Sequence, residues 1–429
     1  MNAIFFAIVS IAFTVGAYRQ ITWIPTGSGA SAPMQALAGA MIDSAKSSVT
    51  LAIGLIGVMA LFLGLMKVAE AGGLLAIIAR IVRPLMVRLF PEVPADHPAM
   101  GAMILNISAN ALGLGNAATP FGIRAMQELD RLNPHKGTAT DAMVLFLAIN
   151  TSSVTLLPTG VIALRAAADS ADPAGILPTT LFATILSTTV AILAAKLYRR
   201  FSTPPPADAE TLRDDGEAVA EALPSEGSAA YPAWVSWLAL ATIFSVIPLA
   251  IIYGTAISPW IIPGLMVALL GFGAIRRVRV YEVFVEGARD GFQVAVRIIP
   301  YLVAILVAVA MFRASGAMDL IVKPLGAVTG LVGLPAEALP MALLRPLSGS
   351  GAFGILASII NDPAIGPDSY VGYLVSTFQG STETTFYVIA VYFGAVQVRR
   401  VRHGLAAALT ADVAGIAGAV IACNIFLGV

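Results

Sequence analysis

Two apolar runs of this chain are interrupted by side chains that can hydrogen-bond, and the interruptions are alike in type. The first passes from Leu145–Ile149 into Asn150, Thr151, Ser152, Ser153 and Thr155 before turning apolar again. The second passes from Tyr373–Phe378 into Gln379, Ser381, Thr382, Glu383, Thr384 and Thr385, then returns to Phe386–Ile389. Hydroxyls, amides and a carboxylate inside hydrocarbon are costly unless something polar meets them. These groups suit a small polar solute bearing hydroxyls or amides, and hydroxyls with freed carbonyls also suit Na⁺. Glu383 is the one acid in the breaks. Buried there, it would couple transport to protons; a structural ion pair with Arg345 is the competing reading. The bland alternative for the Ser/Thr/Asn cluster is helix–helix hydrogen bonding. Its recurrence at matched places favours a binding site.

The surroundings must be a membrane. Of 429 residues, 58% are hydrophobic and 12% are charged, against roughly 25% charged in soluble domains. The formal net charge is zero, so no nucleic-acid partner is indicated. The single cysteine, Cys423, forms no internal disulfide, and His97, His135 and His403 have no ligand spacing. Gly349–Gly354 fits G-x-G-x-x-G, but no strand precedes it, as a dinucleotide fingerprint requires. Walker A and H-E-x-x-H sequences are absent, and no nucleophile–base set appears. The sequence therefore predicts no enzyme and no cofactor, with Na⁺ or H⁺ as the coupling ions to test.

Spans of about 17–25 apolar residues can cross a bilayer. Such spans occur at 2–18, 49–68, 176–198, 233–253, 259–275, 293–312 and 405–427, and the broken stretches 141–165 and 370–396 bring the expected crossings to nine. The first is read as a retained helix rather than a leader, because no basic segment precedes it. Ile77–Phe90, with Arg80, Arg83 and Arg88, is amphipathic and fits the lipid interface. Ala99–Leu105 is too short to cross and runs into Asn106, Ser108, Asn110, Gly113–Gly115 and Asn116 before Pro120. A helix that enters, turns on glycine and returns fits this pattern. Arg345–Gly351, with Ser348 and Ser350, repeats it.

An acidic, Pro-rich linker at 202–230 divides the chain into halves at 1–201 and 231–429. Met41–Lys46 matches Phe284–Arg289, Ala69–Leu74 matches Arg313–Met318, Gly113–Gly115 matches Gly349–Gly351 and Asn150 matches Gln379. The order is kept throughout. Basic clusters at Tyr198–Arg200, Arg276–Arg279 and Arg399–Arg402 mark the cytoplasmic side. The loops of the first half between 64 and 138 are rich in Lys and Arg, and the matching stretch of the second half is poor in them. The predicted fold is an all-α polytopic membrane protein of two inverted-topology repeats, each with a re-entrant helical hairpin and a broken transmembrane helix. The N-terminus and linker would be cytoplasmic and the C-terminus outside.

Phe90–Met100, Gly113–Pro120 and Phe146–Ser152 resemble spore maturation protein A. Tyr281–Gly287, Ile298–Tyr301, Arg345–Gly349 and Gln379–Tyr387 resemble spore maturation protein B. The chain looks like a fusion of the two, covering nearly everything but the linker. Both carry the Gate domain, named for nucleoside recognition and shared with concentrative nucleoside transporters. The resemblance implies a transporter-like fold with re-entrant hairpins, and a nucleoside-like solute. The first expectation is an inner-membrane secondary transporter of a small polar solute. Its solute would meet Asn106, Ser108, Asn110, Asn116, Asn150, Ser152, Ser153, Thr155, Ser348, Ser350, Gln379, Ser381, Thr382 and Thr384. The second is a non-transporting membrane protein that supports envelope assembly or recruits partners. Oligomeric state is left open, a homo-oligomer included.

Overall fold

A computed structural model describes residues 2–24, 31–113, 118–202 and 233–427. The linker, apart from Ser202, and Asn116 with its neighbours 114, 115 and 117 lie outside the described residues. All regular structure described is helical, apart from an isolated bridge between Thr138 and Arg400. This follows from the composition: in hydrocarbon a helix satisfies its own backbone groups. The chain is a helical membrane protein. Pro33–Ala71, Leu177–Phe201 and Gly404–Leu427 are each long and apolar enough to cross.

Element order repeats. In the first part come α1 (Asn2–Ile21), α2 (Pro33–Ala71), α3 (Leu74–Leu89), α4 (Pro98–Ala111), α5 (Thr119–Arg131), α6 (Asp141–Thr151), α7 (Thr159–Ala167) and α8 (Leu177–Tyr198). In the second come α9 (Ala233–Ile275), α10 (Val280–Ala314), α11 (Ala317–Thr329), α12 (Leu339–Leu344), α13 (Gly349–Ile360), α14 (Tyr370–Ser381), α15 (Thr385–Gly394) and α16 (Gly404–Leu427). From α2 and α10 onward the two series run in step. Each long helix ends before a glycine in the left-handed region, Gly73 at φ 85° and Gly316 at φ 81°. An amphipathic helix with an internal proline follows, carrying Pro84 or Pro324. The broken helices α6 and α14 open alike: Thr140 and Ser369 accept main-chain N–H groups three residues on, from Met143 and Gly372.

α2 and α10 pair in opposite directions. Leu37 clusters with Met311, Ala52 with Leu302 and Leu306, and Gly291 lies against Ala60. Rising numbers on α2 thus meet falling numbers on α10. Small residues permit the approach: a Cβ on Gly287 would stand 2.7 Å from the Leu63 carbonyl oxygen. In the same way Ser187 of α8 donates to the Ala411 carbonyl at 2.8 Å, and Ala183 lies beside Gly418.

Three sequence expectations are corrected. The crossings placed at 233–253 and 259–275 form one continuous helix, α9, of 43 residues; at about 1.5 Å per residue it is roughly twice the length one crossing needs. The residues between, Gly254–Ser258, do not interrupt it. The first hairpin arm continues to Ala111, so Asn106, Ser108 and Asn110 sit on helix rather than at a tip. The glycine clusters are not equivalent, since Gly113 closes α4 whereas Gly349–Gly351 open α13.

Candidate functional site

Four half-helices meet where the two runs break. α6 has 11 residues and α14 has 12, about 16–18 Å each, roughly half the hydrocarbon thickness. α7 and α15 continue them after the breaks. The breaks touch directly, as the Glu383 N–H donates to the Thr151 carbonyl at 3.1 Å. Each is also stitched to its own hairpin by one main-chain bond. The Leu156 N–H donates to the Ala111 carbonyl at 2.9 Å, and the Phe386 N–H donates to the Pro346 carbonyl at 3.1 Å. Gly113, at φ 73°, makes the first stitch fit, because a Cβ there would stand 2.0 Å from the Leu157 oxygen.

The first break is an amide network. The Asn150 side chain is buried; its Oδ1 accepts from Asn110 at 3.0 Å and from the Tyr392 hydroxyl at 3.3 Å, and its amide donates to the Phe146 carbonyl at 2.9 Å. Asn110 also donates to Ser153 at 3.2 Å. Asn106 donates to the Ala118 carbonyl at 2.9 Å and to Tyr392 at 3.1 Å, while its own Oδ1 has no partner among the described residues. The Phe146 and Tyr392 rings stack, with centroids 6.0 Å apart. Ser108 and Ser152 point their hydroxyls at carbonyls of their own helices, those of Ile104 and Ala148. The Ser152 carbonyl accepts from Thr188, and Thr155 donates to the Ser153 carbonyl at 3.3 Å.

The second break is built around a guanidinium. Arg345, 5% exposed, follows α12. It donates to Thr384 at 3.0 Å, to the Gln379 carbonyl at 3.2 Å and to the Thr382 carbonyl. Helix breaks leave such carbonyls free, and a buried cation answers them. Ser348 caps α13 by accepting the Gly351 N–H at 3.0 Å, and Ser350 lies in that helix. The Gln379 amide oxygen, the Ser381 hydroxyl and Arg345 Nε have no partner among the described residues.

Glu383 corrects an expectation. Its side chain is 47% exposed, not buried among neutral groups, and its carboxylate is 3.7 Å from Arg345. The structural ion pair is present as a loose contact. The Asn150 side chain bonds within the first break, whereas Gln379 meets Arg345 through its main-chain carbonyl. Two cavities lie away from the breaks. One of about 430 Å³ is lined by Arg313, Glu337 and Asp362, and another of about 240 Å³ by Glu92, Asp141 and Arg402. Neither is lined by a residue of the breaks.

Sequence reasoning passed over four residues: Tyr392 and Asp412 touch the breaks, and Arg165 and Arg402 hold the opposite ends of α14 and α6. Arg165, fully buried on α7, reaches the loop before α14. It pairs with Asp368 at 3.0 Å, donates to the Pro367 carbonyl at 2.6 Å and lies 4.3 Å over the Tyr373 ring. Arg402 makes the reciprocal contact before α6, with Asp141 at 2.8 Å and the Ala139 carbonyl at 3.1 Å. Asp412 of α16 accepts the Thr385 hydroxyl at 2.7 Å. The fourth is Tyr392. A lone charge in an apolar run was the available signal for Arg165 and Asp412; Tyr392 gave none.

Comparison with known proteins follows the same division of the chain. The Gate family pattern, described as nucleoside recognition, matches residues 52–168 and 295–399. The chain is 47% identical over 163 residues to spore maturation protein A of Bacillus subtilis (strain 168), covering 38% of this chain and 83% of that protein. It is 44% identical over 167 residues to spore maturation protein B of the same organism, covering 39% of this chain and 93% of that protein. The two matches are consistent with a fusion. Over 90 residues it is 32% identical to the inner membrane protein YjiG of Escherichia coli (strain K12), covering 21% of this chain and 59% of that protein. The crystal structure of the Alcanivorax borkumensis YdaH transporter aligns with a TM-score of 0.34 at 15% identity, over 99% of this chain and 98% of that one.

Proposed function

This chain belongs to the Gate family, described as nucleoside recognition, and we propose that it is a secondary transporter of a small polar, nucleoside-like solute rather than an enzyme. The observation that carries the reading is the meeting of two broken helices, each stitched to its own hairpin and joined by the Glu383–Thr151 bond. Paired discontinuous helices supply unpaired N–H and C=O groups at membrane depth, where only protein or a watered cavity can satisfy them. A solute with hydroxyls and ring nitrogens would exchange hydrogen bonds with Asn106, Asn110, Asn150 and Ser153 on one side. On the other it would meet Gln379, Ser381, Thr382 and Thr384. Asn106 Oδ1, Gln379 Oε1 and Ser381 Oγ hold unused capacity for this.

The two halves act as inverted repeats in this reading. Its support is the antiparallel pairing of α2 with α10 and of α8 with α16, with matched element order. Alternating access then swings the hairpins against the paired long helices. The membrane is the bacterial inner membrane, by likeness to YjiG. The N-terminus and linker face the cytoplasm and the C-terminus faces outward, in line with the basic clusters.

Thermal-shift titration of the purified full chain against a panel of nucleosides, nucleobases and small acids tests the proposal. A saturable rise in Tm with one nucleoside, lost in Asn150→Ala, is expected. No rise with any solute would contradict it and leave a scaffolding role in the envelope.

A further inference from the structure

Asp412 stands on α16 beside the second break and is 3% exposed. Its Oδ2 accepts the hydroxyl of Thr385, the first residue of α15, and its Oδ1 has no partner among the described residues. One turn further along α16, Gly415 lies under Thr382; a Cβ there would stand 2.6 Å from the Thr382 methyl. The carboxylate and the break therefore share one packing layer.

Charge around this layer does not balance. Arg345 is buried, with Glu383 at 3.7 Å, and it acts through space on Asp412 as well. Its hydrogen bonds go to Thr384 and to the carbonyls of Gln379 and Thr382, and none reaches Asp412. One guanidinium thus serves two carboxylates. A buried carboxylate with a single hydrogen bond and no counter-ion of its own is strongly disfavoured. A cation at the free Oδ1 would remove the imbalance, with the Ser381 hydroxyl, also without a partner among the described residues, on the neighbouring helix.

We propose that Asp412 is the binding group for a monovalent cation, Na⁺ or a proton. For its consequence, ion coupling, this rests on the transport reading; cation binding itself is measured without any solute, so the two can fail separately. The route to the hairpin is short. Asp412 holds Thr385, the adjacent Thr384 is held by Arg345, and Arg345 leads into the tip of the second hairpin. Filling Oδ1 would change how firmly Thr385 is held and so bias the start of α15.

The elements packed against α16 are α8, α14, α6 and α15. They present Lys196 and Tyr198, Tyr370 and Tyr373, Asp141 in its pair with Arg402, and Tyr387 and Tyr392. Glu383 and Arg345 lie in the break, and His403 leads into α16. His403 is the group among these that titrates ordinarily near neutrality, so His403→Gln is the control.

The test is the melting of the purified full chain in two arms. One replaces choline chloride with NaCl at fixed pH; the other varies pH in choline chloride. A saturable Tm rise with NaCl identifies sodium. A pH-dependent Tm transition that persists in His403→Gln identifies a proton. Either response should vanish in Asp412→Asn and persist in Glu383→Gln. If Asp412→Asn does not fold, Thr385→Val, which keeps the carboxylate and removes its donor, should shift the midpoint of the response by about tenfold in ion concentration. Absence of both responses in the native chain would overturn the proposal. So would retention of the response in Asp412→Asn, or an unshifted midpoint in Thr385→Val.

Discussion

The two breaks occupy matched places in the chain but solve the same problem with different chemistry. At the first, neutral amides and hydroxyls answer one another, with Asn150 at the centre of a net that includes Asn110, Ser153 and Tyr392. At the second, one buried guanidinium answers two freed carbonyls and a hydroxyl. A neutral net can trade partners with a neutral solute at little electrostatic cost. A buried charge cannot move without carrying its compensation with it. The first break therefore suits recognition, and the second suits coupling of recognition to an ion and to the hairpin.

Removing the guanidinium should break this comparison most severely. Arg345→Met leaves the Gln379 and Thr382 carbonyls unanswered and should cost about 3–5 kcal/mol, read as a large fall in Tm and in yield from membranes. If Arg345→Met melts like the native chain, the second break is not held by charge. Asn150→Ala should cost less, about 1–3 kcal/mol, since it takes one hydrogen-bond partner each from Asn110 and Tyr392 without stranding a charge. Tyr392→Phe keeps the stack on Phe146 and removes only the hydroxyl; about 0.5–1.5 kcal/mol is expected. Glu383→Gln should be the mildest, under about 1 kcal/mol, because the carboxylate is half exposed and its ion pair is loose. A loss as large as that of Arg345→Met would show instead that Glu383 is the essential partner of the guanidinium.

A pH series gives a further reading at the membrane edge. His403 is held below its ordinary range by burial first and by neighbouring Arg402 second. The unfolded chain then binds the proton more readily than the folded one. Stability is intact above about pH 6.5, the ordinary histidine value, and falls as pH drops below it. His403→Gln should lessen that fall in Tm, and an unchanged fall would place its origin elsewhere.

How much of this was legible in the sequence depends on the range of the interaction. The breaks, the short hairpin arms and the amphipathic stretch before the first hairpin are local patterns of polarity, and α3, α4, α6, α14 and α15 follow them. The end of α4 was misread because Asn106, Ser108 and Asn110 look like loop residues. On the helix, Asn106 and Asn110 bond to groups distant in the chain, and Ser108 turns its hydroxyl back to the Ile104 carbonyl. Glu383 reads as buried in the sequence because it stands among neutral groups inside an apolar run, yet its side chain is half exposed. The reciprocal contacts Arg165–Asp368 and Arg402–Asp141 join residues some 200 to 260 positions apart, which no local pattern can announce. Asp412 did carry a local signal, a lone acid in an apolar helix, and its importance appeared only with Thr385 beside it.

The central claim is that solute crosses the membrane between the two breaks. Uptake of radiolabelled nucleosides into proteoliposomes holding the full chain tests it most directly, with Asn150→Ala and protein-free vesicles alongside. The account predicts saturable uptake of at least one nucleoside by the native chain, reduced about tenfold or more in Asn150→Ala. Folded, reconstituted native chain that moves none of them above protein-free vesicles, or Asn150→Ala that transports at the native rate and affinity, would contradict it.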